Sequence, residues 1–291
     1  MIFFLKLLQF KMRIIFLLPA KAAIFLMRFA GEIIFQIARL TPIKRTTANN
    51  IKAFFPGLNY DLLADRALKN VSYAIFEVLS LPFFNAKHFS ILSKVIGKEN
   101  LDLALRKGKG ALIVSMHTGN YEIVPSILAS NKYKVNSILK ADENPIFTFL
   151  EPSRSHGGVK LINILKDDMY KESLNALKNN EVVCLMLDTG ASEGRHIEID
   201  FLGKKVIVAS GWITLAKRAE CEVVPVFCRR EKDKIIVQID KPLTIKKATE
   251  EENMWEIKEY FEMHIRQSPD QWLMFINDQE TKRMLEHSEN K

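Results

Sequence analysis

The stretch ALIVSMHTGNYE, residues 111–122, joins a run of apolar residues to a polar turn. The run from Ala111 to Met116 has the length and the aliphatic, partly β-branched character of a buried strand. Thr118, Gly119 and Asn120 are residue types that favour tight turns and helix caps. The stretch therefore predicts a strand, a turn that carries His117, and a helix whose first turn includes Glu122.

Similar apolar runs recur further along the chain: VNSIL (135–139), VKLINI (159–164), EVVCLML (181–187), CEVVPVF (221–227) and KIIVQID (234–240). Helix-like segments lie between them at 169–180 and 209–220. A late helix is indicated by an apolar stripe: Met254, Ile257, Tyr260, Phe261 and Ile265. Because alternating strands and helices are typical of βαβ units, the predicted fold class is α/β, with a mostly parallel central sheet covered by helices.

Residues 1–36 differ from the rest of the chain, and read MIFFLKLLQFKMRIIFLLPAKAAIFLMRFAGEIIFQ. Basic residues interrupt the apolar ones at Lys6, Lys11, Arg13, Lys21 and Arg28. The uncharged runs are shorter than the roughly 18 residues of a spanning helix. We expect a helical, membrane-associating segment that lies in the interface, with its Lys and Arg side chains reaching towards anionic lipid. A single spanning helix and a buried helix are the alternatives.

No repeat and no Gly/Ser/Pro-rich linker divides the remaining sequence, 37–291. It is predicted to form one catalytic domain, with a helical lead-in to about residue 105 and an α/β core from about residue 110. The helices of the lead-in are expected to break near Pro56-Gly57 and near Pro82.

Charge and cysteine content narrow the possible partners and the compartment. The formal net charge of +8 fits nucleic acid, an anionic membrane or phosphorylated substrates. Basic-aromatic interleaving is absent from the sequence, so no nucleic-acid partner is predicted. Cysteines occur at Cys184, Cys221 and Cys228 within apolar runs, which favours a reducing cytoplasmic location. Three basic pairs are predicted to lie on solvated faces: Lys204-Lys205, Arg229-Arg230 and Lys246-Lys247.

The turn after the first strand carries the residues best suited to chemistry. In open α/β sheets, reactive groups lie at the carboxyl ends of the strands, which is where His117 falls. If the Glu122 carboxylate folds back onto one ring nitrogen of His117, it fixes the tautomer, and the other nitrogen can take a proton from a hydroxyl. His-x4-Glu spacing alone is a weak signal, but its position after a strand strengthens it. Lone histidines such as His156 and His196 lack metal-ligand spacing, so no metal is predicted.

Seven blocks occur in order along the chain: HTGNYE (117–122), ADENPIF (141–147), PSRSHGG (152–158), ALKNNEVVCLMLD (176–188), FLG (201–203), LAKRAECEVVPVF (215–227) and SPDQWLMF (268–275). Together these blocks resemble the lysophospholipid acyltransferase superfamily, specifically its lipid A biosynthesis branch of lauroyl and myristoyl acyltransferases. HTGNYE is similar to the His-x4-acid motif that this family uses as a catalytic dyad. The resemblance extends from about residue 30 to 280.

The resemblance implies transfer of a fatty acyl group from an acyl carrier protein or CoA thioester to a hydroxyl of a (glyco)lipid, most readily a lipid A precursor. It implies no metal or bound cofactor, and a location at the cytoplasmic face of the cell inner membrane, in contact with membrane lipids. His117 and Glu122 would be the catalytic residues. Substrate-binding candidates are Arg154, Asp188, Lys140 and Asn120. Asp188 and Asn120 could instead only cap a turn or a helix, and Arg154 could be a solvated loop residue.

Departures from the family pattern fall where the acceptor would be bound. Lys140 stands where the family commonly has Arg, and Asp188-Thr189-Gly190 stands where it commonly has Asp-Gln or a similar acidic pair. Ile276-Asn277-Asp278 replaces a His-Arg-Arg tail. Other acceptors therefore stay open: a phosphatidylinositol mannoside, a lysophospholipid or an aminolipid. A non-catalytic basic membrane-binding protein is the alternative from another class. Trp272-Leu273-Met274-Phe275 could pack in the core or line an acyl channel.

Overall fold

The computed structural model describes residues 2–188, 195–245, 249–279 and 281–282. Thr189, Gly190, Lys246 and Lys247 lie outside these residues. The helices are α1 (Ile2–Ile15), α2 (Ala20–Ala38), α3 (Pro42–Phe54), α4 (Tyr60–Ser80), α5 (Ala86–Leu92), α6 (Lys98–Leu105), α7 (Val124–Ser130), α8 (Pro145–Arg154), α9 (Met169–Lys178), α10 (Gly211–Ala219) and α11 (Glu250–Gln267). The strands are β1 (Ser93–Ile96), β2 (Ala111–Ser115), β3 (Val135–Leu139), β4 (Lys160–Asn163), β5 (Val182–Met186), β6 (His196–Phe201), β7 (Lys204–Ala209), β8 (Glu222–Glu231) and β9 (Lys234–Ile239).

The main sheet has the strand order β1-β9-β8-β2-β5-β3-β4 within the described residues. Strands β8, β2, β5, β3 and β4 run parallel to one another. The hairpin between β8 and β9 reverses the direction, so β9 and its parallel neighbour β1 run the other way. The predicted α/β class and mostly parallel sheet are therefore confirmed. The predicted strands correspond to β2, β3, β4, β5, β8 and β9, whereas β1 and the separate β6–β7 ladder were not predicted.

Strand β2 lies at the centre of the sheet, and every residue of it is buried. Leu112 and Val114 face a core shared with α3, α10 and α11. Ala111 and Ile113 face the opposite core, which is shared with α2, α5, α6 and α7. Side chains of a strand alternate between two faces, and here both faces are covered. This double burial explains why β2 reads as a continuous apolar run instead of an alternating one.

The N-terminal helices pack on the rest of the molecule through one face only. In α2, a Cβ on Gly31 would lie 2.8 Å from Cδ1 of Tyr73, so the glycine permits a close approach to α4. Arg28 pairs with Asp233 in the β8–β9 turn. The opposite face of α2 exposes large apolar side chains such as Phe25, which is 68% exposed. Of the helices in the described ranges, none combines the length and apolar character needed to cross a bilayer.

The turn that follows β2 differs locally from its predicted form. Tyr121–Ile123 form one turn of 3-10 helix, and the α-helix begins only at Val124. Pro125 lies in the first turn of this helix. The backbone N–H that proline lacks would have no partner within the helix at this position, so no hydrogen bond is lost. The expectation that Glu122 lies in the first turn of an α-helix is therefore wrong.

Candidate active site

His117 is the second residue beyond the end of β2 and Asp188 the second beyond the end of β5, and these two strands are direct neighbours. Nδ1 of His117 lies 2.7 Å from Oδ1 of Asp188, and the backbone N–H of His117 donates to Oδ2 at 2.9 Å. The carboxylate therefore holds both the ring and the main chain of His117. With Nδ1–H donating to Asp188, the lone pair of the imidazole is on Nε2, the nitrogen that can accept a proton.

Asp188 is buried and ionised at neutral pH. Burial alone would raise the pKa of this carboxyl, but the His117 ring and the hydrogen bonds from His117 and Trp272 hold the pKa below its ordinary value. The Trp272 indole N–H donates to Oδ2 at 2.8 Å. The prediction that Asp188 binds substrate or caps a turn thus missed its main contact, because its partner is 71 residues away in sequence.

The segment that carries Trp272 also fixes the main chain of the His117 turn. The backbone N–H of Leu273 donates to the His117 carbonyl at 2.8 Å. Gly119 donates its N–H to the Gln271 carbonyl, also at 2.8 Å. Gly119 has φ +55°, and a Cβ there would lie 2.8 Å from the Cys228 carbonyl oxygen, so the turn requires glycine. The segment Trp272-Leu273-Met274-Phe275, which was predicted to pack in the core or to line an acyl channel, therefore supports the main chain of the candidate site.

Glu122 does not occupy the predicted position on Nδ1 of His117, where the structure has Asp188. Its carboxylate instead accepts a bidentate pair from Arg154, with Nε to Oε2 at 2.8 Å and Nη2 to Oε1 at 2.6 Å. Burial would lower the pKa of Arg154, but Glu122 outweighs it and raises that pKa. The ring of Tyr121 meets the His117 ring edge-on, with centroids 4.4 Å apart. Arg154 is thus a partly buried, oriented guanidinium close to the His117 turn.

The two remaining candidates lie in different environments. Asn120 is buried, and its amide donates to the Glu77 carboxylate at 2.7 Å. It neither caps a helix through its side chain nor faces open solvent. Lys140 is exposed and follows β3, so it lies at the same edge of the sheet as His117 and Asp188. Arg230 was predicted to lie on a solvated face, but its side chain is 6% exposed and pairs with Glu77.

An apolar pocket opens beside Asp188 and Trp272. It lies between α11 and the β6–β7 ladder. Its lining is almost wholly aliphatic or aromatic: Met116, Leu187, Ile199, Phe201, Val206, Ile207, Val208, Met254, Ile257 and Phe261. Asp188 and Lys258 are the charged residues on its wall. Across the described ranges, no three His, Cys, Asp or Glu side chains converge as metal ligands.

Sequence comparison places these features in a known group of proteins. A family profile described as "Bacterial lipid A biosynthesis acyltransferase" matches residues 2–279. The chain belongs to this family. The matched region of this lipid A acyltransferase family member includes the His117 turn, Asp188 and the segment that carries Trp272. Every part of the candidate site therefore lies in the region that the family shares.

Individual relatives of this family member are distant. Phosphatidylinositol mannoside acyltransferase of Mycobacterium tuberculosis is 25% identical over 157 residues, 52% of this chain and 49% of the relative. The chain thus spans about half the length of the mycobacterial relatives it matches. Lipid A biosynthesis acyltransferase of Haemophilus influenzae is 22% identical over 256 residues, 86% of this chain and 80% of the relative. The solved 1-acyl-sn-glycerophosphate (LPA) acyltransferase PlsC of Thermotoga maritima is 14% identical. The match covers 87% of this chain and 99% of the PlsC chain, with a TM-score of 0.40.

Proposed function

We propose that this chain is an O-acyltransferase that moves a fatty acyl group from a thioester to a lipid hydroxyl, with His117 as general base. The 2.7 Å contact between His117 Nδ1 and Asp188 Oδ1 is the observation that carries the proposal. A buried carboxylate that fixes the tautomer of a histidine beside an apolar pocket is an arrangement suited to activating a hydroxyl. Membership of the acyltransferase family supports the same reaction class.

The reaction balances with the groups at the site. Nε2 of His117 removes the hydroxyl proton while the hydroxyl oxygen bonds to the thioester carbonyl carbon. The carbon–sulfur bond then breaks, and the imidazolium returns the proton to the leaving sulfur, so a lipid ester and a free thiol form. Asp188 stays charged and stabilises the imidazolium between the two steps. Acyl carrier protein or CoA would supply the thioester, and no metal ion or bound cofactor takes part.

The apolar pocket is proposed to hold the acyl chain. It begins at Asp188 and Trp272, next to the base, and its wall consists mainly of aliphatic and aromatic side chains, as is usual for sites that bind apolar ligands. A chain bound there would have its thioester near His117. The lining residues on β7 then limit the length of chain that fits.

A larger side chain on one wall of the pocket should shorten the acyl chain that the protein prefers. Val208 lies on β7 and lines the pocket, so Val208→Trp fills part of it. We expect kcat/KM for the longest accepted acyl donor to fall about tenfold or more, because each methylene that cannot enter a fitted apolar site costs about 1–3 kcal/mol. Val95→Trp, on the edge strand β1, is the matched control. Equal losses for all chain lengths in Val208→Trp would contradict the assignment of the pocket.

The acceptor is proposed to be a lipid A precursor, with a phosphatidylinositol mannoside as the second candidate. Family membership favours the first. The M. tuberculosis relative, which by its name acts on the mannoside, favours the second. Arg154 and Lys140, at the same edge of the sheet, are the basic groups proposed to bind an anionic acceptor. Since Glu122 already occupies two donors of Arg154, an acceptor phosphate would take its remaining N–H groups.

A panel of donors and acceptors tests the proposed function. Purified protein in detergent is incubated with acyl carrier protein or CoA thioesters and with a lipid A precursor, a phosphatidylinositol mannoside, a lysophospholipid or an aminolipid. Mass spectrometry should find an acceptor that has gained one acyl group. Faster transfer to the mannoside than to the lipid A precursor would favour the second candidate. Absence of any acylated lipid with all donors would contradict the proposed function.

We further propose that α1 and α2 bind the cytoplasmic face of the inner membrane through their exposed apolar side chains. The apolar set includes Phe3, Leu7, Phe10, Ile14, Phe25, Phe29, Ile33 and Ile37. Lys6, Lys11, Arg13 and Lys21 lie on the same two helices, which suits a surface of anionic lipid. An amphipathic pair of this kind lies in the interface with its apolar face among the acyl chains.

Acidic substitutions on this face should weaken membrane binding. In Phe25→Glu/Phe29→Glu, two exposed rings of α2 are replaced by charges, and each lost ring removes about 1.5–3 kcal/mol of burial energy. Sedimentation with vesicles that contain phosphatidylglycerol should show a partition coefficient at least about a hundredfold lower. Leu103→Glu, at an exposed apolar position of α6, should bind as the wild type does. Unchanged sedimentation of the double variant would contradict this assignment.

A further inference from the structure

Glu77 is a fully buried carboxylate on α4, with 0% exposure, and it lies outside the lining of the apolar pocket. Arg230, at the end of β8, donates to it through Nη1 at 2.9 Å and Nη2 at 2.7 Å. Asn120 donates to Oε2 at 2.7 Å. Because burying an ion pair costs several kcal/mol of desolvation, such a pair contributes little net stability and calls for another explanation.

The contact with Asn120 connects this ion pair to the His117 turn. Asn120 is three residues beyond His117 in the turn that leaves β2. Arg230 reaches the same turn by a second route, since its backbone N–H donates to the Gln271 side chain at 2.8 Å and the Gln271 carbonyl accepts from Gly119. Asp188 and Trp272 fix the imidazole ring from the pocket side, whereas Glu77 and Arg230 fix the backbone of the turn from the α4 side.

We infer that Glu77 is a positioning residue for the general base, and that it acts on His117 through Asn120. This inference rests on the proposed function. A shift of about 1 Å at a reacting group can lower a rate on the order of a hundredfold, so a clamp on the turn affects catalysis without touching substrate. The buried pair is thus retained for the geometry of the turn, and its role is separable from stability.

Two variants separate positioning from folding. Asn120→Ala removes the link and leaves the Glu77–Arg230 pair intact. Glu77→Met/Arg230→Met replaces the whole pair with apolar side chains, a change that is often neutral for stability in other proteins. Both should lower kcat about 10- to 100-fold with little change in KM. Glu222→Gln is the matched control, because Glu222 is a buried carboxylate paired with Lys107 at the opposite end of β8.

The NMR resonance of the His117 ring N–H is a measurement that a change in folding stability alone would not alter. Protein labelled with ¹⁵N-histidine should show a downfield Nδ1–H proton from the 2.7 Å bond to Asp188. In Asn120→Ala and in the double Met variant this resonance should shift or broaden, while Glu222→Gln should keep both the resonance and kcat. Wild-type kcat and an unchanged resonance in Asn120→Ala would overturn the inference. An inactive wild type whose resonance still responds to Asn120→Ala would contradict the proposed function and leave the clamp supported.

Discussion

Replacement of His117 by alanine is expected to lower kcat for acyl transfer about 10³-fold, with little change in KM for either substrate. General-base catalysis contributes on the order of 10²–10⁴-fold, and the alanine variant has no group to accept the hydroxyl proton. The pocket and Arg154 are unaltered, so donor and acceptor binding should survive. Steady-state kinetics with a saturating acyl thioester measure the change.

The control for this variant is His196→Ala, at an exposed position of β6. It should keep wild-type kcat, because Asp188 holds both the ring and the main chain of His117. A His117→Ala protein with kcat close to that of wild type would show that another group accepts the proton.

Replacement of Asp188 by asparagine is expected to be at least as damaging, with kcat lower on the order of 10³–10⁴-fold. Oδ1 of Asp188 faces the His117 Nδ1, whereas Oδ2 faces the backbone N–H of His117 and the indole N–H of Trp272. An asparagine has only one acceptor oxygen, and that oxygen is best used against the two N–H donors. Its amide N–H then points at Nδ1, which moves the ring proton to Nε2 and leaves no lone pair there to act as base.

Comparison of Asp188→Asn with Glu122→Gln separates the observed arrangement from the one expected from the sequence motif. Glu122→Gln should loosen Arg154 and affect acceptor binding, yet it should retain the downfield Nδ1–H resonance of His117. Asp188→Asn should abolish that resonance, and Asp200→Asn on β6 should leave it unchanged. Loss of the resonance in Glu122→Gln together with its survival in Asp188→Asn would contradict the role assigned to Asp188.

The strands that the sequence predicted are short apolar runs, and the most deeply buried of them, β2 and most of β8, lie near the middle of the sheet. Strand β2 is a continuous apolar run, and such runs are recognisable without knowledge of their neighbours. Strand β6 reads HIEIDF, with charged residues among its apolar ones, and lies in a separate two-stranded ladder. Strand β1 has only four residues and pairs along one side with β9. Their formation depends on tertiary pairing, which local patterns do not encode.

The candidate site was only partly predictable for a similar reason. His117 could be found because a strand, a turn and a histidine follow one another in the sequence. Its partner could not be chosen by spacing, since Glu122 is near in sequence but Asp188 is near in space through the adjacency of β2 and β5. The available signal was that both His117 and Asp188 directly follow predicted strands whose carboxyl ends meet at one edge.

Glu77 and Arg230 were missed because each looks like an ordinary surface charge in its local sequence. Glu77 stands between Phe76 and Val78 on a helix, and Arg230 follows another arginine at the end of a long strand. Only the packing of α4 against the end of β8 brings the two together. A charged residue within an apolar helix face is the one local sign that a buried partner exists.

We propose that the protein moves an acyl group from a thioester to a lipid hydroxyl, with His117, oriented by Asp188, as the general base. The most direct test measures thiol released and lipid ester formed in the same reaction, for wild type and His117→Ala side by side. We expect equal amounts of thiol and ester from the wild type, and almost none of either from the variant. Equal thiol release and lipid acylation by the two proteins would contradict it.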